Sequence, residues 1–281
     1  MRHLSLRPKR RLSTFRRVAL SSWKTVGDPS VYGSLTLHVD KALAYLEEFR
    51  EVTGLRLTMT HLVGKALAGV IEEMPDANAV LRWGKIYLRE DINLFFHVAM
   101  RDPDNEEIDL SGTVIQHTNR KSLAEIVQEL NQNVSKVRKS EDEELRRSRN
   151  LVQKLPQWMI RPFLNLTSFL VYGLNLNMRW AGLPDDPFGS VALTNIGALG
   201  LEEGYVPLVP YTRIPLFVAM GAVHQGPIVE NGELKVGHVL KLMATFDHRI
   251  LDGSHAAIMA KVLKRYFEDP WQHFGEPKAL V

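Results

Sequence analysis

The 281 residues allow one large domain or two small ones, and with 45% apolar residues a sizeable core is possible. Cysteine is absent, which removes disulfides, thiolate metal sites and a cysteine nucleophile together and fits a reducing, cytoplasmic setting. The formal charge of +3 is uneven: Arg2, Arg7, Lys9, Arg10, Arg11, Arg16 and Arg17 occupy residues 1–17 with no acid, so the basic balance belongs to an N-terminal arm on a mildly acidic body.

Such an arm suits the phosphates of a cofactor, a nucleic acid or a membrane surface, and its plain alternative is a solvated or inter-subunit tail. The body has no interleaved basic and aromatic stripe, which argues against nucleic acid as a partner. No apolar segment follows the N-terminal charges as in a cleavable signal.

After the arm, Tyr32 to Val39 alternates apolar and polar and predicts a half-buried strand. Asp40 is expected to cap a helix through Arg50, with Ala42, Leu43, Leu46 and Phe49 on one face and Gly54 as its stop. Thr60 to Glu73 predicts a second helix, ended by Pro75. Short strands are expected at 79–83 and 86–89. A strongly apolar strand follows from Asn93 to Met100, with Leu110 to Gln116 as its hairpin partner across an acidic turn. Ser122 opens a long amphipathic helix carrying Leu123, Ile126, Val127, Leu130, Val134 and Val137.

Residues 155–183 are unusually apolar, yet Arg161, Pro162, Asn165 and Asn175 interrupt them. A membrane span needs about 20 uninterrupted apolar residues, so the segment predicts a buried or interfacial helical hairpin. Strands return at Ser190–Asn195 and Pro215–Val223. A hairpin turn is expected at Asn231-Gly232, and a last strand runs from Val239 to Phe246. Strands and helices interleave unevenly, which predicts an α/β (α+β) chain with an open mixed sheet covered by helices. The division expected is a basic arm over 1–17 and one domain over 18–281, with an insertion over 143–186 that is apolar near 151–186.

The last strand runs into Asp247-His248-Arg249-Ile250-Leu251-Asp252-Gly253, followed by an apolar-periodic stretch from Ala256 to Phe267. This predicts a turn between a buried strand and a helix, with His248 at the strand end and Asp252 as N-cap. Imidazole titrates nearest neutral pH, so a histidine held there suits proton transfer from a thiol or hydroxyl. His61 is expected to cap or pack on a helix surface, and His255 to be an exposed first-turn residue. No histidine pair with a carboxylate shows metal-ligand spacing, so no metal is expected.

DHRILDG resembles the end of the catalytic domain of dihydrolipoamide acyltransferases, the acyl-transferring cores of 2-oxo acid dehydrogenase complexes and relatives of chloramphenicol acetyltransferase. Similar too are Leu57–Ala68 with Met74–Ala79, the start of the helix at Asn119–Ile126, Leu193-Thr194-Asn195-Ile196-Gly197, and Phe217–Val223. The resemblance covers most of residues 16–274. It implies a chloramphenicol acetyltransferase-like fold and acyl transfer between coenzyme A and a thiol of dihydrolipoamide type or another small acceptor. It also implies a homotrimer with active sites between subunits. By it, His248 is the general base, Thr194 stands where the family has an oxyanion-binding serine, and Asp252 fixes the turn. Lys65, Arg16 and Arg17 fall where the family meets the cofactor phosphates. The chain reads as a stand-alone core without lipoyl or subunit-binding domains and with no lipoyl group of its own. Asp109–Ile115 departs from the family's substrate-channel strand, and the apolar insertion has no family counterpart. A catalytically degenerate trimeric scaffold is therefore the alternative, and contact with a membrane surface a weaker one.

Overall fold

A computed structural model describes residues 5–8, 28–101, 108–138, 155–178, 186–230 and 232–279. A short strand β1 (Leu6–Pro8) precedes β2 (Ser30–His38), whose alternation places Leu37 in the core. Helix α1 (Asp40–Thr53) buries Ala42, Tyr45, Leu46 and Phe49, and Gly54 closes it at φ 69° with its N–H on the Arg50 carbonyl. Asp40 does not act as the expected cap. It is the first helical residue, and its carboxylate is drawn to His38 and to His238, whose Nδ1 lies 2.6 Å away.

Helix α2 (Met59–Glu73) is buried on nearly every side, and Thr58 with His61 forms its capping box. It presses so closely on the sheet that a Cβ on Gly64 would meet the Phe96 ring at 2.6 Å. Next come β3 (Ala79–Arg82) and β4 (Lys85–Arg89), joined by Trp83-Gly84 with φ of 51° and 69°. Positive φ at both central residues is the geometry of a tight hairpin, unusual for a tryptophan. These strands and β1 form a small sheet in the order β1-β4-β3.

The main sheet adds β5 (Leu94–Arg101), β6 (Ile108–Ile115), β7 (Val191–Asn195), β8 (Leu216–Met220), β9 (His224–Glu230) and β10 (Glu233–Asp247). Its order is β2-β10-β8-β7-β5-β6, with β9 beside the first half of β10. The pairs β5/β7 and β7/β8 are parallel and the rest antiparallel, so the expected mixed sheet is present. The last strand is longer than its apolar core suggested: β10 begins at Glu233, and its first residues pair only with β9.

The sheet has two unlike faces. Leu94, Phe96, Val191, Leu193, Leu216, Val218 and Leu242 join residues of α1, α2 and helix α5 (Gly253–Glu268) in the main core. Ala192, Ile214 and Phe217 build a smaller cluster on the opposite face, under Phe95, Phe188 and the loop of Val206, Leu208 and Val209. Helix α3 (Leu123–Arg138) lies across β6, opened by Ser122, whose N–H and hydroxyl donate to Glu125. The C-terminus ends in a short helix, α6 (Pro270–Phe274).

The insertion differs from its expectation. Its described part holds a single helix, α4 (Gln157–Ser168), which passes into a π-helical turn at Phe169–Gly173. Among the described residues no second antiparallel helix follows it: the chain turns out at Gly173 and Asn175 takes φ 56°. Much of α4 is exposed, not buried. The turn and the end of the helix are anchored: Val171 and Tyr172 pack on Val80, the Tyr172 hydroxyl lies 3.3 Å from Asp186, and buried Ser168 accepts from Arg213 Nε at 3.1 Å. Arg89 and Asp186, both buried, pair at 3.2 Å, and Arg89 Nη1 donates to the Ala79 carbonyl. Among the described residues no helix is long and apolar enough to cross a membrane.

Removing one partner of a buried ion pair strands the other charge, whereas replacing both with uncharged groups removes the desolvation problem. Asp186→Asn is therefore expected to lower stability by about 3–5 kcal/mol, and Arg89→Met with Asp186→Asn, which keeps a residue suited to the φ of 41° there, to recover most of it. Urea denaturation midpoints of the three proteins check this.

Candidate active site

Strand β10 delivers the histidine motif. The Asp247 N–H donates to the Pro215 carbonyl, and the His248 N–H to that of Pro29, so the strand end is tied on both sides. The Asp247 carbonyl then accepts from Ile250 and Leu251, closing a tight turn. Within it Arg249 folds back on Asp247, with Nε–Oδ1 at 2.9 Å and Nη2–Oδ2 at 2.6 Å. Asp247 is buried and Arg249 half-buried, and the forked pair braces the backbone on either side of His248.

His248 itself is half-buried, and its Nδ1 lies 2.9 Å from the Leu251 carbonyl. A carbonyl only accepts, so in the neutral ring Nδ1 carries the proton and Nε2 is the basic atom. Asp252 caps α5 as expected, accepting from the Ser254 and His255 amides at 3.0 and 3.3 Å and from Ser254 Oγ at 2.5 Å. Burial pushes its carboxyl up, but the bonds from Ser254 and His255 outweigh it and hold the group well below the usual carboxylate range.

His255 is not the exposed residue expected. Its Nδ1 lies 2.6 Å from Asp252 and its Nε2 3.3 Å from Asp76, so it links α5 to the 3₁₀ turn Pro75–Asn78. The reason is spacing: position three of a capping box reaches back to the cap.

Thr194 lies in β7 on the face it shares with Ala192, opposite the helices, and is half-buried. The next residue, Asn195, points the other way, donating to Thr60 Oγ1 at 3.0 Å and accepting from the Ala198 amide at 3.0 Å. Register separates Thr194 from His248 within one chain. Thr194 pairs with Ala219 and Ala219 with Met243, whereas His248 lies five residues further along the chain, just past the end of β10. That is roughly 16 Å along the strand and roughly 10 Å across the sheet.

Lys65 is partly buried. Its ammonium donates to the carbonyls of Thr118, Asn119 and Lys121 at 3.3, 2.7 and 2.7 Å. All three donors thus hold the loop before α3, and a phosphate there must displace a carbonyl. Burial lowers its pKa against the opposing pull of Glu72 and Glu125. Arg16 and Arg17 lie outside the described residues. No group of three metal-ligating side chains occurs among the described residues.

Two features escaped sequence reasoning. The Asp247–Arg249 brace was detectable only as charges flanking the histidine. His97 interrupts the apolar strand β5 and lies beside Thr194, one residue beyond the paired register of Phe96 with Leu193. Its ring packs on Phe95 and Phe217, its Nδ1 is buried without a partner, and burial lowers its pKa against a bond to the Leu193 carbonyl.

A family model for the 2-oxoacid dehydrogenases acyltransferase catalytic domain matches residues 9–149 and 185–274. The chain belongs to this family. The unmatched residues, 150–184, make up most of the insertion. A relative from Bacillus subtilis (strain 168), the dihydrolipoyllysine-residue acetyltransferase component of an acetoin cleaving system, is 27% identical over 219 residues, covering 77% of this chain and 43% of its own. The chain spans about half the length, or less, of the curated relatives it matches. Among solved structures, Azotobacter vinelandii dihydrolipoamide acetyltransferase aligns with a TM-score of 0.63 at 20% identity, covering 91% of this chain and 87% of that one. The cubic core of a pyruvate dehydrogenase multienzyme complex aligns with a TM-score of 0.64 at 19% identity, covering 94% and 93%. The family's acyltransferase-core fold is therefore shared across nearly the whole chain.

The capping histidine of α2 gives a pH signature. His61 accepts from the Thr58 amide at Nδ1, while Nε2 is buried without a partner, and burial lowers its pKa to about 4. An unfolded histidine titrates near 6.5. As pH falls from about 6.5 to about 4 the unfolded chain gains the proton first, so stability falls, by about 3 kcal/mol at most. His61→Gln, which keeps a capping-box residue, should flatten the dependence of the urea midpoint on pH across this window.

Proposed function

We propose that the chain is a coenzyme A-dependent acyltransferase that moves an acyl group between coenzyme A and a small thiol of the dihydrolipoamide kind, at sites built between copies of a homotrimer. The observation that carries this is the His248 ring, set by the Leu251 carbonyl so that Nε2 is its basic atom.

His248 Nε2 takes the proton from the attacking thiol. The thiolate sulfur forms a bond to the thioester carbon, whose π electrons move onto oxygen. The Thr194 hydroxyl of a neighbouring copy donates to that oxyanion. When the oxyanion collapses, the bond to the departing sulfur breaks, and the proton on Nε2 passes to that sulfur. The balance is one acyl group exchanged for one proton. The separation of Thr194 from His248 along the sheet supports a site shared between copies. Asp252 acts as a positioning residue, holding the turn whose Leu251 carbonyl orients the ring. Arg16 and Arg17 meet the phosphates of coenzyme A, and Lys65 joins them by exchanging one of its carbonyl partners.

The relatives support this. The Bacillus subtilis and Rickettsia felis proteins are dihydrolipoyllysine-residue acetyltransferase components. In the Azotobacter enzyme a serine, a histidine and an asparagine have been investigated for their role in catalysis, a set close in chemistry to Thr194, His248 and Asp252.

The test is release of free coenzyme A from acetyl-CoA with dihydrolipoamide. His248→Ala should reduce the rate by roughly 10²–10⁴-fold and Thr194→Ala by roughly 10²–10³-fold, with Thr194→Ser retaining activity. The two inactive variants refolded together should regain about a quarter of the wild-type rate, since random assortment gives that share of sites an intact residue from each copy. No transfer by the wild type, with a trimer that fails to bind coenzyme A in calorimetry, overturns the proposal in favour of a scaffold.

A further inference from the structure

Helix α4 turns an apolar line outward. Trp158, Pro162, Leu166 and Phe169 fall on one side at helical spacing, and Trp158, Leu166 and Phe169 are 75%, 55% and 40% exposed. The line continues onto the small sheet, where Trp83 packs edge-on against Phe169 with centroids 5.7 Å apart and is itself 64% exposed. Trp83 holds a left-handed backbone that usually takes glycine or asparagine, and its Nε1–H donates to the Gly173 carbonyl at 2.9 Å. A bulky ring is thus locked outward where a smaller residue would suit the turn better.

Charge says what covers this face. The two segments that build it, residues 79–89 and 155–178, contain no acid in a chain with 32. Their charges are Arg82, Lys85, Arg89 and Arg161, of which Arg89 is committed to Asp186 and Lys85 and Arg161 stand exposed. Exposed tryptophan beside arginine and lysine, with acid excluded, is the composition of a bilayer interface. Asn165 is the one uncharged polar side chain on the outward line, too little to fix the register of a protein partner. A fluid surface needs no register.

We propose that α4 and the β3–β4 turn form a docking surface for an anionic lipid bilayer. The helix is 12 residues, about 18 Å, against a hydrocarbon core of about 30 Å, so it lies flat among the headgroups. Trp158, Leu166, Phe169 and Trp83 enter the acyl boundary, and Arg161 and Lys85 meet lipid phosphates. The surface uses none of the residues of the histidine motif and does not depend on the transferase proposal, and α4 lies outside the stretches that match the family.

The test is flotation of the full chain with vesicles of phosphatidylcholine, with and without phosphatidylglycerol. The wild type should float with the anionic vesicles, and the triple variant Trp158→Ser, Leu166→Ser, Phe169→Ser should lose at least about tenfold of that affinity. Arg161→Gln with Lys85→Gln should weaken the preference for phosphatidylglycerol. Unchanged circular dichroism melting keeps a loss from being one of folding. A wild type that stays with neither vesicle overturns the proposal, as does a triple variant that floats as well as the wild type. A triple variant that changes only the mass measured by light scattering overturns it too, and assigns the face to a second copy of the chain.

Discussion

The bond from His248 Nδ1 to the Leu251 carbonyl is the contact around which the histidine motif is built. It chooses the ring's tautomer, and the tautomer decides which atom can receive a proton. That carbonyl is in turn held by its surroundings: Asp247 closes the turn from the strand side, and Asp252 closes it from the helix side. The residues on either side of the histidine pair are therefore parts of one clamp. Arg249 braces the first carboxylate and His255 the second, so the polar side chains of the motif mainly serve to keep the ring still.

The sheet extends the same economy of parts. The strand β10 is central: it pairs with β2 and β8 over its second half and with β9 over its first. One face is sealed by helices and supplies most of the core. The other carries a smaller cluster, with Thr194, His97 and Phe217 along it. The histidine emerges at the end of the sheet and Thr194 lies nearer its middle, so the two stand apart within one chain.

Much of this architecture is legible in the amino-acid order because local and global signals agree. Alternation in β2, the glycine stop of α1, the Ser122–Glu125 start of α3 and the cap at Asp252 each have a short-range cause that survives in the folded chain. The misreadings share the opposite trait. Asp40 looks like a cap, but His238, far along the chain, takes its carboxylate together with the neighbouring His38. His255 looks exposed until Asp76, far away in the chain, comes to meet it. Lys65 is not one of these, but its bonds to a loop fifty residues away in sequence were equally silent in the local pattern. The insertion suggested a helical hairpin because apolar content does not distinguish one helix from two. Among the described residues one helix ends in the Gly173–Asn175 turn. His97 carried no short-range signal at all, since a lone histidine in an apolar strand is silent about its neighbour across the sheet.

The Arg89–Asp186 pair has an evolutionary corollary. It fastens the far end of the connection between α3 and β7 directly to the small sheet, so β7 enters the main sheet in register whatever the intervening stretch does. Closing a longer loop adds only a slowly growing, logarithmic entropic penalty, about 0.6 kcal/mol per doubling. The connection is thus a place where descendants of this fold can gain or shed whole segments, each acquiring its own surroundings, while the sheet and helices beneath stay undisturbed.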